Sequence, residues 1–89
     1  FIEAFIRSRM SRGQGETRIR LELKQRGASA SLVSELLIEA DIDWFELARQ
    51  TAVTKFGQSQ PLDAKEKAKR MRFLQYRGFN FDQINYALK

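Results

Sequence analysis

The sequence carries one heptapeptide design twice, and that repetition limits the folds open to it more than any other feature. Leu23-Lys24-Gln25-Arg26-Gly27-Ala28-Ser29 corresponds to Leu74-Gln75-Tyr76-Arg77-Gly78-Phe79-Asn80 at a shift of 51. The copies share physical roles as well as letters. Gly27 and Gly78 stand where a helix ends in a left-handed residue, a conformation in which a Cβ would clash. The next residue, Ala28 or Phe79, can close back on Leu23 or Leu74 as a Schellman turn prefers. It also precedes a capping residue, Ser29 or Asn80, and is placed to staple Val33 or Ile84 in the following helix. Caps of this kind contribute about 1 kcal/mol each. A repeat built from helix ends predicts stacked helical units.

Apolar spacing fills in the rest. Phe1, Ile2, Phe5, Ile6 and Met10 form one helical stripe, broken at Gly13 and Gly15. Glu16 to Arg26 is a second helix with Ile19 and Leu23 four apart. A third, capped by Ser29, carries Leu32, Val33, Leu36 and Leu37. Asp43 opens a fourth with the capping-box spacing to Glu46 and the staple spacing of Ile42 to Leu47. Trp44, Leu47, Ala48, Thr51 and Ala52 share its core face, with Trp44 as an anchor. Gln58 to Leu62 is a linker around Pro61. Asp63 with Glu66 opens a long basic helix running to Arg77, and Asn80 caps the last, with Ile84, Ala87 and Leu88. Gly13 and Gly27 are 14 apart while Gly57 and Gly78 are 21 apart, so the second unit carries a seven-residue insertion. The expected fold is all-α: tandem three-helix repeats over 1–41 and 42–89, stacked in an elongated right-handed or solenoid-like array, with breaks near Gly13, Gly27, Asp41, Gly57 and Gly78.

Composition narrows the chemistry. Eighty-nine residues fit one compact domain and are too few for two independent ones. The chain starts at Phe1, within a helical pattern and without an initiator Met, which reads as a trimmed piece of a longer protein. Cysteine and histidine are absent, which removes disulfides, thiolate metal sites, the commonest general base and the usual nucleophile–histidine pairs. No apolar run is long enough to span a membrane and no signal peptide is evident, so a soluble, cytoplasmic protein is expected. Gly13-Gln14-Gly15 is too short for a phosphate loop. Glu35, Glu39 and Asp43 lie four apart, but across a helix break where acids serve as solvated caps. A binding protein without cofactor is the better reading than an enzyme.

The net charge of +5 is laid out in blocks. Seven basic residues stand between Arg7 and Arg26 against Glu16 and Glu22. Five acids and no base occupy Glu35 to Glu46, and six bases face Glu66 alone between Lys65 and Arg77. Blocks of this kind favour an acidic or polyanionic partner. On the basic helix, Ala64, Ala68, Met71 and Leu74 are expected to face the core. Arg70 and Arg77 then project from nearly the opposite side, with Phe73 close by and Lys69 and Tyr76 flanking. Phe73 has a second reading as packing against a neighbouring helix. Arg18, Arg20, Lys24 and Arg26 occupy the corresponding helix of the first unit. Candidate partner-binding residues are therefore Arg18, Arg20, Lys24, Arg26, Lys69, Arg70, Phe73 and Arg77.

The stretch Lys67-Ala68-Lys69-Arg70-Met71-Arg72-Phe73-Leu74-Gln75-Tyr76-Arg77-Gly78-Phe79-Asn80-Phe81-Asp82-Gln83-Ile84 resembles the C-terminal signature of RecX, bacterial regulators of the RecA recombinase. Ile6-Arg7-Ser8-Arg9, then Gly13, Gly15, Ile19, Leu23 and Arg26-Gly27, resembles the middle segment of that family, and Trp44 through Lys55-Phe56 the start of its last segment. The resemblance implies tandem three-helix units, usually three per protein, of which the second and third are present here. It also implies a partner, the RecA nucleoprotein filament, bound along its groove so that filament growth, ATP-driven strand exchange and coprotease functions are limited. It brings no catalytic residues. Direct contact with DNA is left open by this reading and required by the alternative, a basic helix-turn-helix module. Against that alternative, the helices after Gly27 and Gly78 lack cations: Ser31–Leu37 and Phe81–Leu88 contain none. A scaffold for some other acidic protein is a third reading. A monomer away from membranes is expected in each case.

Overall fold

The computed structural model describes residues 1–89 and contains six α-helices and no strand. They are α1 (Ile2–Ser11), α2 (Glu16–Gln25), α3 (Ala30–Ala40), α4 (Trp44–Phe56), α5 (Ala64–Tyr76) and α6 (Phe81–Ala87). The breaks fall at the glycines and at Asp41, as the sequence predicts; Asp41 itself takes a left-handed conformation. Both repeated turns are Schellman motifs. Ala28 N–H donates to the Leu23 carbonyl and Gly27 N–H to that of Lys24; Phe79 and Gly78 do the same to Leu74 and Gln75, all at 3.0 to 3.2 Å. Both glycines have positive φ, +84° at Gly27 and +101° at Gly78.

The N-terminal caps differ from their expected form in instructive ways. Asn80 and Gln83 form a complete capping box. Asp43 and Asp63 accept from the backbone of Glu46 and Glu66, but neither glutamate returns the bond. Each pairs instead with an arginine one turn on, Arg49 or Arg70, because a guanidinium is the stronger partner for a carboxylate. Ser29 occupies the N-cap position of α3 without a side-chain cap bond; its hydroxyl meets Ser31.

Two cores form. Phe5, Ile6, Ile19, Leu23, Val33 and Leu37 make the first, from α1 to α3. Ala48, Ala52, Leu74, Phe79 and Ile84 make the second, from α4 to α6. Ile42 and Trp44 pack against the first core while Leu47 packs against the second. Trp44 is an anchor, but for the preceding unit. The molecule measures 42 × 21 × 19 Å, twice as long as wide. Two units with one joint define no superhelical winding.

The face of α5 turned to the core matches the expected one only in part: Leu74 belongs to the second core and Met71 packs against it. Leu74 is fully buried, but its neighbour on the inner side is Arg70, while Ala64 is exposed. Arg70 lies one turn before Leu74, about 40° from it around the helix, and not opposite it. The linker after Gly57 makes that position an interior one: Arg70 donates to the Ser59 carbonyl at 2.8 Å and to Glu66 at 2.6 Å, with its guanidinium 5.1 Å from the Phe56 ring centre. Apolar letters alone located one edge of the buried face and missed its centre.

The units meet through backbone. Gly15 N–H donates to the Arg77 carbonyl at 2.7 Å and Thr17 N–H to the Gly78 carbonyl at 3.2 Å. The orphan donors at the N-terminus of α2 are thus satisfied by the orphan acceptors at the end of α5. This approach leaves no room for side chains. A Cβ on Gly15 would stand 2.5 Å from the Gly78 carbonyl, and a Cβ on Gly78 would stand 2.5 Å from the Arg18 Cβ. The Gly27 turn, with the same backbone, has nothing within 4 Å.

That contrast gives the first prediction. Gly27→Ala should cost about 1 kcal/mol, the left-handed strain alone. Gly78→Ala should cost about 3 kcal/mol, because overpacking adds to the same strain. Urea melts of the two variants measure the difference, and equal losses would mean that the joint does not hold in solution.

Candidate functional site

The basic residues sort into those that build the structure and those that face solvent. Four salt bridges, Arg9–Glu22, Arg20–Glu16, Arg49–Glu46 and Arg70–Glu66, hold four cations. Arg20 also donates to Ser34 at 2.9 Å, tying α2 to α3. The hydrogen bonds and positive charge of Arg49 hold the Glu46 carboxyl below its ordinary value. Two further arginines span the joint: Arg18 donates to the Tyr76 carbonyl at 3.2 Å, and Arg77 to the Arg12 carbonyl at 2.9 Å. Phe73 is half-buried and meets Phe56 edge to face at 5.3 Å, with Arg77 5.1 Å from its ring.

The eight residues singled out in the sequence therefore do not form one surface. Arg70 is 5% exposed and cannot project outward as expected; Arg20 is committed to Glu16 and Ser34, and Phe73 packs on α4. Arg18 and Arg77 are brought together at the joint. Lys24, Arg26 and Lys69 are exposed, although Arg26 lies 4.9 Å over the Phe5 ring.

What α5 presents to solvent is a different set. Lys65, Lys69, Arg72 and Tyr76 are all exposed, at spacings of 4, 3 and 4 that place them in one line along the helix. The line covers about 16 Å at 1.5 Å per residue. No carboxylate lies within salt-bridge distance of its three cations. Tyr76 is 70% exposed and carries the Arg18 guanidinium 4.8 Å from its ring centre, so the line crosses the joint onto α2. Leu21 and Gln25, three and seven residues after Arg18, continue the exposed side of that helix. Lys65, Arg72 and Tyr76 were legible from spacing once the inner face of α5 is centred between Arg70 and Leu74.

This surface has the chemistry of a polyanion or acidic-protein contact: regularly spaced cations ending in an accessible aromatic. It holds no nucleophile–base pair. The acids Glu35, Glu39 and Asp43 are not gathered into a metal-binding group, and Asp43 serves as the N-cap of α4. No helix is long and apolar enough to cross a membrane.

Comparison with known proteins adds identity to this geometry. Residues 41–88 match the third three-helix domain of RecX, and residues 1–37 match its second. The chain belongs to the RecX family. It is 48% identical over 88 residues to the regulatory protein RecX of Vibrio campbellii, covering 99% of this chain and 57% of that one. It is 44% identical over 87 residues to the RecX of Halorhodospira halophila, covering 98% and 54%. It is 45% identical over 84 residues to that of Salmonella paratyphi B, covering 94% and 51%. The chain thus spans a little over half the length of these RecX relatives. RecX proteins are named as regulators, and the surface described above has the makings of a binding face.

The second prediction separates the two classes of cation. Arg70→Glu places a carboxylate in a buried site beside Glu66, and should cost about 3 kcal/mol, the lower end for breaking a buried pair because Glu66 is one-third exposed. Arg72→Glu, two residues on and exposed, should change stability by less than about 0.5 kcal/mol. Urea midpoints measure both; a tolerated Arg70→Glu would show that the Arg70 site opens readily to water.

Proposed function

We propose that this chain is the filament-engaging part of a regulator of the RecA recombinase, acting on the RecA filament on DNA and restraining its ATPase, strand exchange and coprotease activities. The observation that carries this reading is the line Lys65, Lys69, Arg72 and Tyr76, extended by Arg18 across a joint locked by backbone hydrogen bonds. A molecule 42 Å long with cations along one edge suits a long, repetitive, negatively charged surface better than a small ligand. Family membership supports the regulatory role. The regulator works in the bacterial cytoplasm, as a monomer, without cofactor. Of the residues marked in the sequence, Lys69 and Lys24 remain direct contacts in this proposal, Arg18 contributes through the edge of its stack on Tyr76, and Lys65 and Arg72 join them.

The helix-turn-helix alternative asks one helix to enter a DNA groove with side chains that reach bases. The helices following the turns, α3 and α6, bear no cation, and the exposed side of α6 presents Phe81, Asp82, Asn85 and Tyr86. Sequence-independent attraction to DNA phosphates through α5 is then an outcome to be tested.

The third prediction is the test. The triple variant Lys65→Glu, Lys69→Glu, Arg72→Glu should abolish inhibition of the RecA DNA-dependent ATPase on preformed filaments while retaining a helical, cooperative melt. Each reversal turns attraction into repulsion at an acidic surface, and the parent inhibition should weaken with added salt. Inhibition that survives the triple reversal would remove this face from the contact. Inhibition that tracks free DNA sites, with tight and steeply salt-dependent binding to naked duplex, would instead make the protein a DNA competitor.

A further inference from the structure

Beside the joint, where Gly13 passes Thr51, the end of α1 faces α4 and α5 across a cleft of about 350 Å³. Three cations line it, Arg12 from the first unit and Lys55 and Arg77 from the second, and no carboxylate does. None of the three belongs to a salt bridge of the molecule. They are also held near one another. The Lys55 ammonium lies 5.6 Å and the Arg77 guanidinium 5.1 Å from the same ring centre, that of Phe73. Arg77 reaches the Arg12 carbonyl with one N–H group at 2.9 Å, which brings the two arginines to one rim. The Ser11 and Thr51 hydroxyls at this cleft donate to carbonyls of their own helices. The Thr54 hydroxyl and the Arg12 guanidinium, both on exposed residues, donate to nothing in the chain. Like charges gathered without a counter-charge repel one another, and a bound anion relieves that repulsion.

We infer that this cleft is an anion site for a short phosphate chain, such as pyrophosphate or the phosphates of a nucleotide. Charge and size choose the ligand class. Three cations without a carboxylate match a ligand of two or more negative charges; a single carboxylate would leave most of that charge unmatched. Arg77 keeps N–H groups beyond the one given to Arg12, and a guanidinium fork suits phosphate oxygens. The cleft is at the small end of ligand pockets, with room for a phosphate chain and not for a helix or a duplex. Phe73, half-buried beside Lys55 and Arg77, keeps one wall apolar, which strengthens the attraction of charges next to it. Arg12 belongs to one unit and the other two cations to the next, so a bound anion would tie the units together and stabilise the folded joint by mass action. The cleft is separate from the exposed line on α5, since Arg77 lies five residues after Arg72, about 140° around the helix. The inference is independent of what that line binds.

The fourth prediction is read by calorimetric titration of the chain with sodium pyrophosphate at constant ionic strength, in buffer free of other phosphate. Binding should saturate at one anion per chain. Arg12→Gln with Lys55→Gln should weaken it about tenfold or more, because two charge-assisted contacts are lost. Both residues are exposed, so without pyrophosphate the double variant should melt within about 3 °C of the parent. Arg7→Gln with Lys67→Gln removes the same two charges elsewhere on the surface and should leave the affinity within about twofold of the parent, as expected for minor long-range effects. ADP in place of pyrophosphate identifies the source of the phosphates. Affinity no higher than for pyrophosphate assigns the cleft to the phosphate chain alone, and tighter binding adds a contact to the nucleoside. Absence of saturable binding, equal losses in the two double variants, or loss instead on Lys65→Gln with Lys69→Gln would overturn the site.

Discussion

Everything in this molecule beyond its individual helices depends on the approach of two glycines, Gly15 and Gly78. Their backbones come so near that a methyl group on either would lie 2.5 Å from a neighbour. At that distance the end of one helix serves as the cap of another, and four orphan backbone groups are satisfied in pairs. A helix terminus left bare would keep those groups in water; buried without partners, each would be costly. The joint removes both problems at once and sets the relative orientation of the two cores. The exposed line on α5 is continuous with α2 for that reason alone, because Arg18 sits on the opposite wall of the same contact and leans over Tyr76.

Gly13-Gln14-Gly15, too short for a phosphate loop, serves this joint. The positive end of α2 faces negative partial charges there. Here the acceptors are two peptide carbonyls of the same chain. Gly13, with a φ of +75°, passes beside Thr51 on α4, so both glycines of the tripeptide serve contact between units.

Most of the fold could be read from caps and spacing, because those signals are local. Gly27 and Gly78 ended their helices where expected, and Phe79 joined Leu74 and Ile84 in one core. The orientation of α5 was not legible in the same way. Its buried side is determined by a linker that folds back and by an arginine that becomes interior on meeting Ser59, Glu66 and Phe56, contacts up to 14 residues apart in sequence. Hydrophobic periodicity treats Arg70 as a solvent marker, so the predicted face was displaced toward Ala64 and Ala68. The candidate residues inherited that displacement: Arg70, expected outside, is buried, while Lys65 and Arg72, exposed on the same helix, were not among them. Trp44 was placed in the wrong core for a related reason, since a residue at the start of a helix can belong to either neighbour.

A second signal in the sequence, residue type, separates architecture from surface where periodicity fails. All six lysines are exposed, whereas five of the ten arginines (Arg9, Arg18, Arg20, Arg70 and Arg77) are buried or half-buried. A guanidinium spreads its charge over a planar fork of five donors and is weakly hydrated, so it can satisfy a carbonyl and a carboxylate together while stacking on a ring. Arg70 does all three. An ammonium is a compact, strongly hydrated charge that loses more on leaving water. In this chain, then, arginines supply the charged part of the architecture, while all six lysines face solvent. On α5 that contrast sets Arg70 inward and Lys65 and Lys69 outward. Arg72 is outside because the helix turns it away from Leu74, by about 160° for two residues back.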